Sequence, residues 1–324
     1  MLERREQPVP ARKSATVPAI LCVQGIFMSA IRTYFLTLLL CLGISASTRG
    51  QSDPLRTTST SLPGAFVDVE GSKLYYEECG TGSDAVILLH DGIAHSVVWD
   101  AVWPTFCHKY HTIRYDRRGC GRSPAAVSPF SETEDLAALL RSRKVTHAIL
   151  VGSSHGGELS IDFTLQYPEL VRQLVLVGPV LNGFPYSDFF YDRGIANSKP
   201  FEKGDVPAGI LNWSKDKYLL SPAHDAARKK LLEILTASPQ DLTHPDFIRP
   251  DRPAFPHLSD IRVPTLILLG DSDIPDVYVH AGAIEAGIFN SRHVVVPETG
   301  HLMYLEKPEE FSRIVLHFID SRAN

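Results

Sequence analysis

The stretch ILVGSSHGGEL, Ile149 to Leu159, sets two adjacent serines among glycines with a histidine directly behind them. Read outward, "HAILVGS" has the apolar character of a strand and "HGGELSIDFTLQY" that of a helix, so the serines fall on the turn between the two. A G-x-S-x-G frame is met by Gly152, Ser154 and Gly156, whereas Ser153 has Val151 and His155 where glycines would stand. A sharp strand-to-helix turn leaves its central hydroxyl exposed, and small flanking residues let it close. It also sets a helix N-terminus, with its outward N–H groups, beneath that hydroxyl, where negative charge is favoured. The plain alternative is a tight turn whose serine caps the helix. Placed between this strand and this helix, Ser154 is the candidate nucleophile, and Ser153 is assigned no chemical duty.

A serine hydroxyl needs a base, normally a histidine held by a third group. "VVVPETGHLMYLEKPEEF" offers His301, in a loop after the last strand and before the last helix, at the same sheet edge as Ser154. The side chain of His155 should diverge from its neighbour on the turn, leaving its backbone N–H as the useful part. His90, His108 and His111 read as partners in local hydrogen bonds. The orienting carboxylate should also follow a strand at that edge, and "LILLGDSDIPD" supplies Asp271, Asp273 and Asp276. Asp273 sits past the strand end, where a loop can bend it toward His301, while Asp271 reads as shaping the turn.

The surrounding chain has a regular rhythm. "AFVDVEG" and "KLYYEECG" alternate apolar and polar residues as a half-buried hairpin does. "AVILLH", "HTIRYD", "HAILVGS", "RQLVLVG", "PTLILLGD" and "RHVVVPE" are short apolar runs of the kind found in strands covered on both faces. Helical patterns lie between them. Ser131 and Glu134 form a capping-box signature. A last helix with Pro308 in its first turn puts Phe311, Ile314, Val315, Phe318 and Ile319 on one face. Strands alternating with helices specify an α/β fold with a largely parallel sheet wrapped on both sides. From about residue 181 to 260 the rhythm breaks into the aromatic "GFPYSDFFYD", the helical "HDAARKKLLEIL" and several prolines, which read as a mostly helical insertion after the sixth strand.

The first 64 residues are not expected to belong to the fold. From Met28, Arg32 supplies positive charge, Tyr34 to Ile44 an apolar stretch, and Ser45, Ala46 and Ser47 a cleavage site, the pattern of an export signal with translation starting at Met28. The apolar run falls short of the about 20 residues that a membrane-spanning helix needs. An uncleaved membrane anchor is the alternative. The expected organisation is an extension over 1–50, a polar linker over 51–64, a core over 65–180 and 261–324, and a helical cap over 181–260.

Across the 324 residues the formal net charge is −5 and no lysine/arginine cluster stands out, which argues against a nucleic-acid partner. The five cysteines, Cys22, Cys41, Cys79, Cys107 and Cys120, show no metal-ligand spacing. Buried or isolated thiols are expected, with a Cys107–Cys120 disulfide conceivable on export. The pattern specifies no oligomeric state.

Taken together, "GSSHGG", "HDG" after the third strand, "DRRGCGRS" after the fourth, and "GDSD" followed by "TGH" resemble the α/β-hydrolase family from about Ala65 to the C-terminus. The resemblance implies an eight-stranded, mostly parallel sheet flanked by helices, a cap inserted after strand 6, and a triad of Ser154, Asp273 and His301. It implies an oxyanion hole made by the N–H groups of Gly92 and His155, and no metal or organic cofactor. The family usually has His-Gly where this chain has His90-Asp91; a carboxylate there would oppose developing negative charge unless turned away or paired, with Arg117 or Arg118 as the candidate partner. The implied activity is hydrolysis of a small, moderately apolar ester or lactone, with aromatic cap residues such as Phe190 and Trp213 walling the pocket. Carbon–carbon, amide or peroxide-dependent acyl chemistry on the same residues is the alternative, as is a slow-turnover small-molecule receptor on the hydrolase fold.

Overall fold

The computed structural model describes residues 63–244 and 247–321. The expected extension, signal and most of the linker therefore lie outside the described residues. Eight strands form one sheet: β1 (Ala65–Val69), β2 (Ser72–Cys79), β3 (Ala85–Leu89), β4 (His111–Tyr115), β5 (Ala148–Ser153), β6 (Val171–Val177), β7 (Thr265–Gly270) and β8 (Ser291–Val296). Their spatial order is β1-β2-β4-β3-β5-β6-β7-β8. β2 runs antiparallel to both β1 and β4, and the remaining pairs are parallel.

Among the described residues, nine α-helices accompany the sheet: α1 (Trp103–Lys109), α2 (Glu132–Ser142), α3 (His155–Gln166), α4 (Asp188–Glu202), α5 (Val206–Ser214), α6 (Asp225–Ala237), α7 (Pro275–Gly287), α8 (Met303–Glu306) and α9 (Pro308–Asp320). The central strands are apolar on both faces because both faces are covered. Along β3, Ile87 and Leu89 join the layer containing Leu136, Phe163 and Ile284 of α2, α3 and α7. Val86 and Leu88 join the layer built on Trp99, Phe106, Phe311 and Phe318. The exception among the expected buried runs is β8: as an edge strand it leaves most of its residues partly or fully exposed.

α9 buries Phe311, Val315, Phe318 and Ile319, with Pro308 at its start, as its spacing requires. At the start of α2 only half of the capping box forms. Ser131 Oγ accepts from the Glu134 amide at 3.2 Å, but the Glu134 carboxylate accepts from the Tyr167 hydroxyl at 2.5 Å.

The cysteines depart from expectation. Cys79 and Cys107 form a disulfide with Cα atoms 5.2 Å apart, and Cys120 is free and buried. β2 and β4 are antiparallel neighbours, so the end of β2 meets α1, which leads into β4. Cys120 lies beyond the other end of β4, near His244, and is out of reach of Cys107.

Between β6 and β7 the chain leaves the sheet and forms α4, α5 and α6. Polar contacts fasten this segment to the core. Ser187, the N-cap of α4, donates its amide and hydroxyl to Asp276 at 2.6 and 2.8 Å. Asp241 takes His95 Nδ1 at 2.6 Å and the Gly121 amide at 2.8 Å. Among the described residues, no helix is long and apolar enough to cross a membrane.

Candidate active site

Ser154 sits between β5 and α3 with φ 53° and ψ −115°, a conformation that costs energy for any residue with a Cβ. The turn is possible because its flanks are bare. A Cβ on Gly152 would lie 2.2 Å from the Gly156 carbonyl oxygen, and one on Gly156 would lie 2.4 Å from that of Leu89. Ser154 makes no side-chain cap to α3, which removes the capping alternative, and its amide donates to Val177 O at 2.9 Å. Its hydroxyl faces a cavity of about 260 Å³ that is also lined by Asp91, Gly92, His155 and His301. A larger polar depression between α3 and the 251–260 segment holds none of these residues.

Asp273 and His301 meet at the carboxyl ends of β7 and β8. His301 Nδ1 lies 2.7 Å from Asp273 Oδ1, and both side chains are almost fully buried. The same oxygen accepts from the Ile274 amide at 2.7 Å, which fixes the carboxylate. Asp271 shapes the turn, accepting the Thr299 amide at 3.2 Å and so steadying the loop that carries His301. Asp276 is spent on Ser187. Thus the carboxylate nearest the histidine is Asp273.

Two features of this corner were not singled out from sequence. Gly178, directly after β6, has φ +51°, and a Cβ there would stand 2.7 Å from His301 Nδ1 and 3.1 Å from Asp273 Oδ2. Glu306 accepts the Gly300 amide at 2.7 Å and the Ser221 amide at 2.5 Å, tying the histidine loop to the connection between α5 and α6. Burial pushes the Glu306 carboxyl up to about 7.

Gly92 and His155 approach each other across the cavity floor, so that a Cβ on Gly92 would be 3.8 Å from that of His155. A chain of charged groups holds both. His155 Nε2 lies 2.6 Å from Glu132 Oε2, Glu132 Oε1 accepts from Arg117 at 2.9 Å, and Arg117 donates to the Asp91 carbonyl at 2.6 Å. Burial opposes the charge on both His155 and Glu132. Their mutual attraction overrides it, raising the His155 pKa and, with help from Arg117, lowering that of Glu132. His90 completes the bracket from below: Nε2 accepts the Arg117 amide at 3.0 Å, so Nδ1 carries the proton donated to the Asp91 carbonyl at 2.8 Å. Burial, then Arg117, keep that imidazole neutral by pulling its pKa well down.

Among the described residues the Asp91 carboxylate is not paired with an arginine, contrary to expectation. Arg118 is committed to Asp135, and Arg117 to Glu132 and the backbone. Oδ1 of Asp91 instead accepts the amides of Ile93 and Ala94 at 2.8 and 3.0 Å, and Oδ2 accepts the Tyr304 hydroxyl at 3.0 Å. The side chain is folded into its own turn, and it shapes the loop that presents Gly92. The phenol's one proton goes to Asp91, so the Ser153 hydroxyl, 3.2 Å from the same oxygen, donates to it, and Ser153 serves this buried network.

A model described as the alpha/beta hydrolase family matches residues 86–314. The chain belongs to the alpha/beta hydrolase family, and its function class is that of a hydrolase. Its curated relatives include the 2-hydroxy-6-oxononadienedioate/2-hydroxy-6-oxononatrienedioate hydrolase of Escherichia coli K12, 26% identical over 285 residues, covering 78% of this chain and 94% of the relative. The esterase RhEst1 from Rhodococcus sp. ECU1013 is 25% identical, with 82% of this chain and all of that one covered at a TM-score of 0.65. An esterase from Exiguobacterium antarcticum shares the fold at a TM-score of 0.68 and 24% identity, covering 80% of this chain and all of that one.

Proposed function

We propose that the protein is a serine hydrolase of small carboxylic esters or lactones. Ser154 attacks the carbonyl carbon while His301 takes its proton through Nε2. Asp273 holds the imidazole by Nδ1 and stabilises the imidazolium. The oxyanion rests on the N–H groups of Gly92 and His155, each worth roughly 3 kcal/mol in the transition state. Water then releases the acyl group through the same base. The observation that carries this reading is the uncapped Ser154 hydroxyl sharing one cavity with a buried His301–Asp273 pair. The volume of about 260 Å³ suits a small substrate, lying just under the roughly 300–1,000 Å³ usual for ligand pockets.

A second reading is favoured by the Escherichia coli relative, whose name gives an oxo-acid as substrate. The same residues would then attack a ketone carbonyl and release a carbon leaving group. A panel of ester, lactone, amide and diketone substrates, assayed on purified protein and on Ser154→Ala, separates these activities. Turnover of esters that disappears in the variant is the expected result. Tight ligand binding with negligible turnover of the whole panel would instead indicate a receptor on the hydrolase fold.

We further propose that the protein is exported. The Cys79–Cys107 disulfide supports this, because such bonds persist in oxidising compartments. Sequencing the N-terminus of protein from the native host should give a start just after Ser45–Ser47; a mature chain retaining residues 2–30 would refute it.

A further inference from the structure

Among the described side chains lining the catalytic cavity, the charged ones besides the Glu132-paired His155 are Asp91 and Arg193. Both oxygens of Asp91 are already engaged by Ile93, Ala94 and Tyr304. Arg193 is different. It projects from α4, in the cap, and its side chain is only 9% exposed. Nε lies 2.7 Å from Asp216 Oδ2, but at an angle that leaves both Nε and Nη2 without a hydrogen-bond acceptor among the described residues. Asp216 has little left to give: Oδ2 takes Asn197 Nδ2 at 2.6 Å and Oδ1 takes the Tyr218 amide at 2.9 Å. The guanidinium packs over Trp213, which also lines the cavity.

A buried guanidinium with unsatisfied donors is costly unless something completes it. A planar fork of donors matches the oxygens of a carboxylate or a phosphate bidentately, and the carboxylate is the smaller and less charged group for a largely apolar cavity of about 260 Å³. The remaining walls near it, Tyr186, Phe190, Ile195 and Trp213, are largely apolar. We infer that the cavity takes a substrate bearing a carboxylate at the end remote from its reacting carbonyl, and that Arg193 is the residue that binds it. The reacting carbonyl lies on the floor at Ser154, Gly92 and His155, an apolar chain crosses between the cap aromatics, and the carboxylate meets Arg193 under the cap. A hemi-ester of a short dicarboxylic acid has this shape. The inference rests on the reading of the floor as the reaction centre, and Asp216 neutralises much of the arginine's charge, so its effect is one of directed hydrogen bonds more than of field.

The test compares mono-p-nitrophenyl glutarate with p-nitrophenyl hexanoate, similar in length but neutral. Wild-type protein should prefer the hemi-ester in kcat/KM by at least about tenfold. Arg193→Gln should lower that value by roughly 10- to 100-fold, mostly through KM, while hexanoate changes by less than about threefold. Arg193→Lys, which keeps the charge opposite Asp216 but not the fork, should fold normally and fall between the two. Equal losses on both esters, or a wild-type preference for hexanoate, would overturn the inference and leave Arg193 as a fastening within the cap. A binding arm does not depend on turnover. Calorimetry on Ser154→Ala should detect monoethyl glutarate but not ethyl hexanoate at the same concentration, and adding Arg193→Gln should abolish the signal. No binding of monoethyl glutarate would sink the inference even if esters are hydrolysed, whereas binding without hydrolysis of any ester would sink only the proposed activity.

Discussion

The imidazole Nε2 of His155 lies 2.6 Å from Oε2 of Glu132, so the residue that follows the elbow serine is anchored to α2 by an ion pair whose carboxylate is buried. Glu132 also holds Arg117, whose other contact is the carbonyl of Asp91, one residue before Gly92. The two loops proposed to form the oxyanion hole are therefore fixed relative to each other through one carboxylate. Removing it in Glu132→Ala leaves the buried Arg117 with the Asp91 carbonyl but no carboxylate, and the expected loss of stability is about 3–5 kcal/mol in urea unfolding. Glu132→Gln should lose less, since the amide oxygen can still accept from Arg117.

This pair also predicts a pH dependence of stability. The Glu132 pKa is lowered from its ordinary 4.5 in the folded protein, so its contribution is present above that value and is lost as pH falls through the depressed one. The His155 pKa is raised from 6.5, so its contribution is full below 6.5 and is lost as pH rises through the raised value. The stability difference between wild type and Glu132→Gln should be greatest between about pH 4.5 and 6.5 and shrink on either side. A difference that is flat from pH 4 to 9 would mean that the two groups do not titrate as a pair.

Gly178→Ala should act on chemistry more than on folding. The added methyl presses on His301 Nδ1 and Asp273 Oδ2 at a position whose φ is +51°. Displacing an imidazole by about 1 Å is enough to cost roughly 100-fold in rate. The expected outcome is a loss of that order in kcat with a melting temperature lowered by only a few degrees.

Asp91 is predicted to be tolerated as asparagine but not as alanine. An asparagine oxygen can still accept the Ile93 and Ala94 amides that shape the loop, whereas alanine abandons them and takes one acceptor from Tyr304. Steady-state assays should show a fall of roughly 10- to 100-fold in kcat/KM for Asp91→Ala, below the roughly 100- to 1,000-fold of a lost oxyanion donor because the donor is loosened and not removed. Asp91→Asn should stay within a few-fold of wild type; a loss as large as that of alanine would point to a role for the charge itself.

The Cys79–Cys107 bond closes a loop with a sequence separation of 28, for which chain-entropy reasoning gives about 3–4 kcal/mol of stability. Cys79→Ser or full reduction should lower the unfolding free energy by about that amount. Cys120→Ser should not mimic it through any loss of cross-linking.

The parts of this molecule that could be read from sequence are those set by local periodicity. The apolar runs of β3, β5, β6 and β7, the face of α9 and the glycines of the elbow each state their structure within about a dozen residues. What could not be read depends on neighbours across the sheet. Asp91 and Tyr304 are separated by 213 positions, and nothing around "HDG" announces a tyrosine donor. Arg117 could be suspected near Asp91 but meets its backbone, because Glu132 claims the guanidinium. Cys107 and Cys120, near each other in sequence, are the conceivable pair, but β2 lying beside β4 brings Cys79 to Cys107 instead. β8 shows the reverse limit: an apolar run cannot say whether its strand is central or at an edge, and this one is at an edge.

The proposed reaction depends on the hydroxyl of Ser154 being activated by His301. The direct measurement is covalent labelling by a fluorophosphonate, followed by peptide mapping of wild type, Ser154→Ala, Ser153→Ala and His301→Ala. Rapid modification of the wild type confined to Ser154, retained in Ser153→Ala, lost in Ser154→Ala and slowed at least about a thousandfold in His301→Ala is the predicted result. Labelling at another residue, or at Ser154 with an undiminished rate in folded His301→Ala, would contradict it.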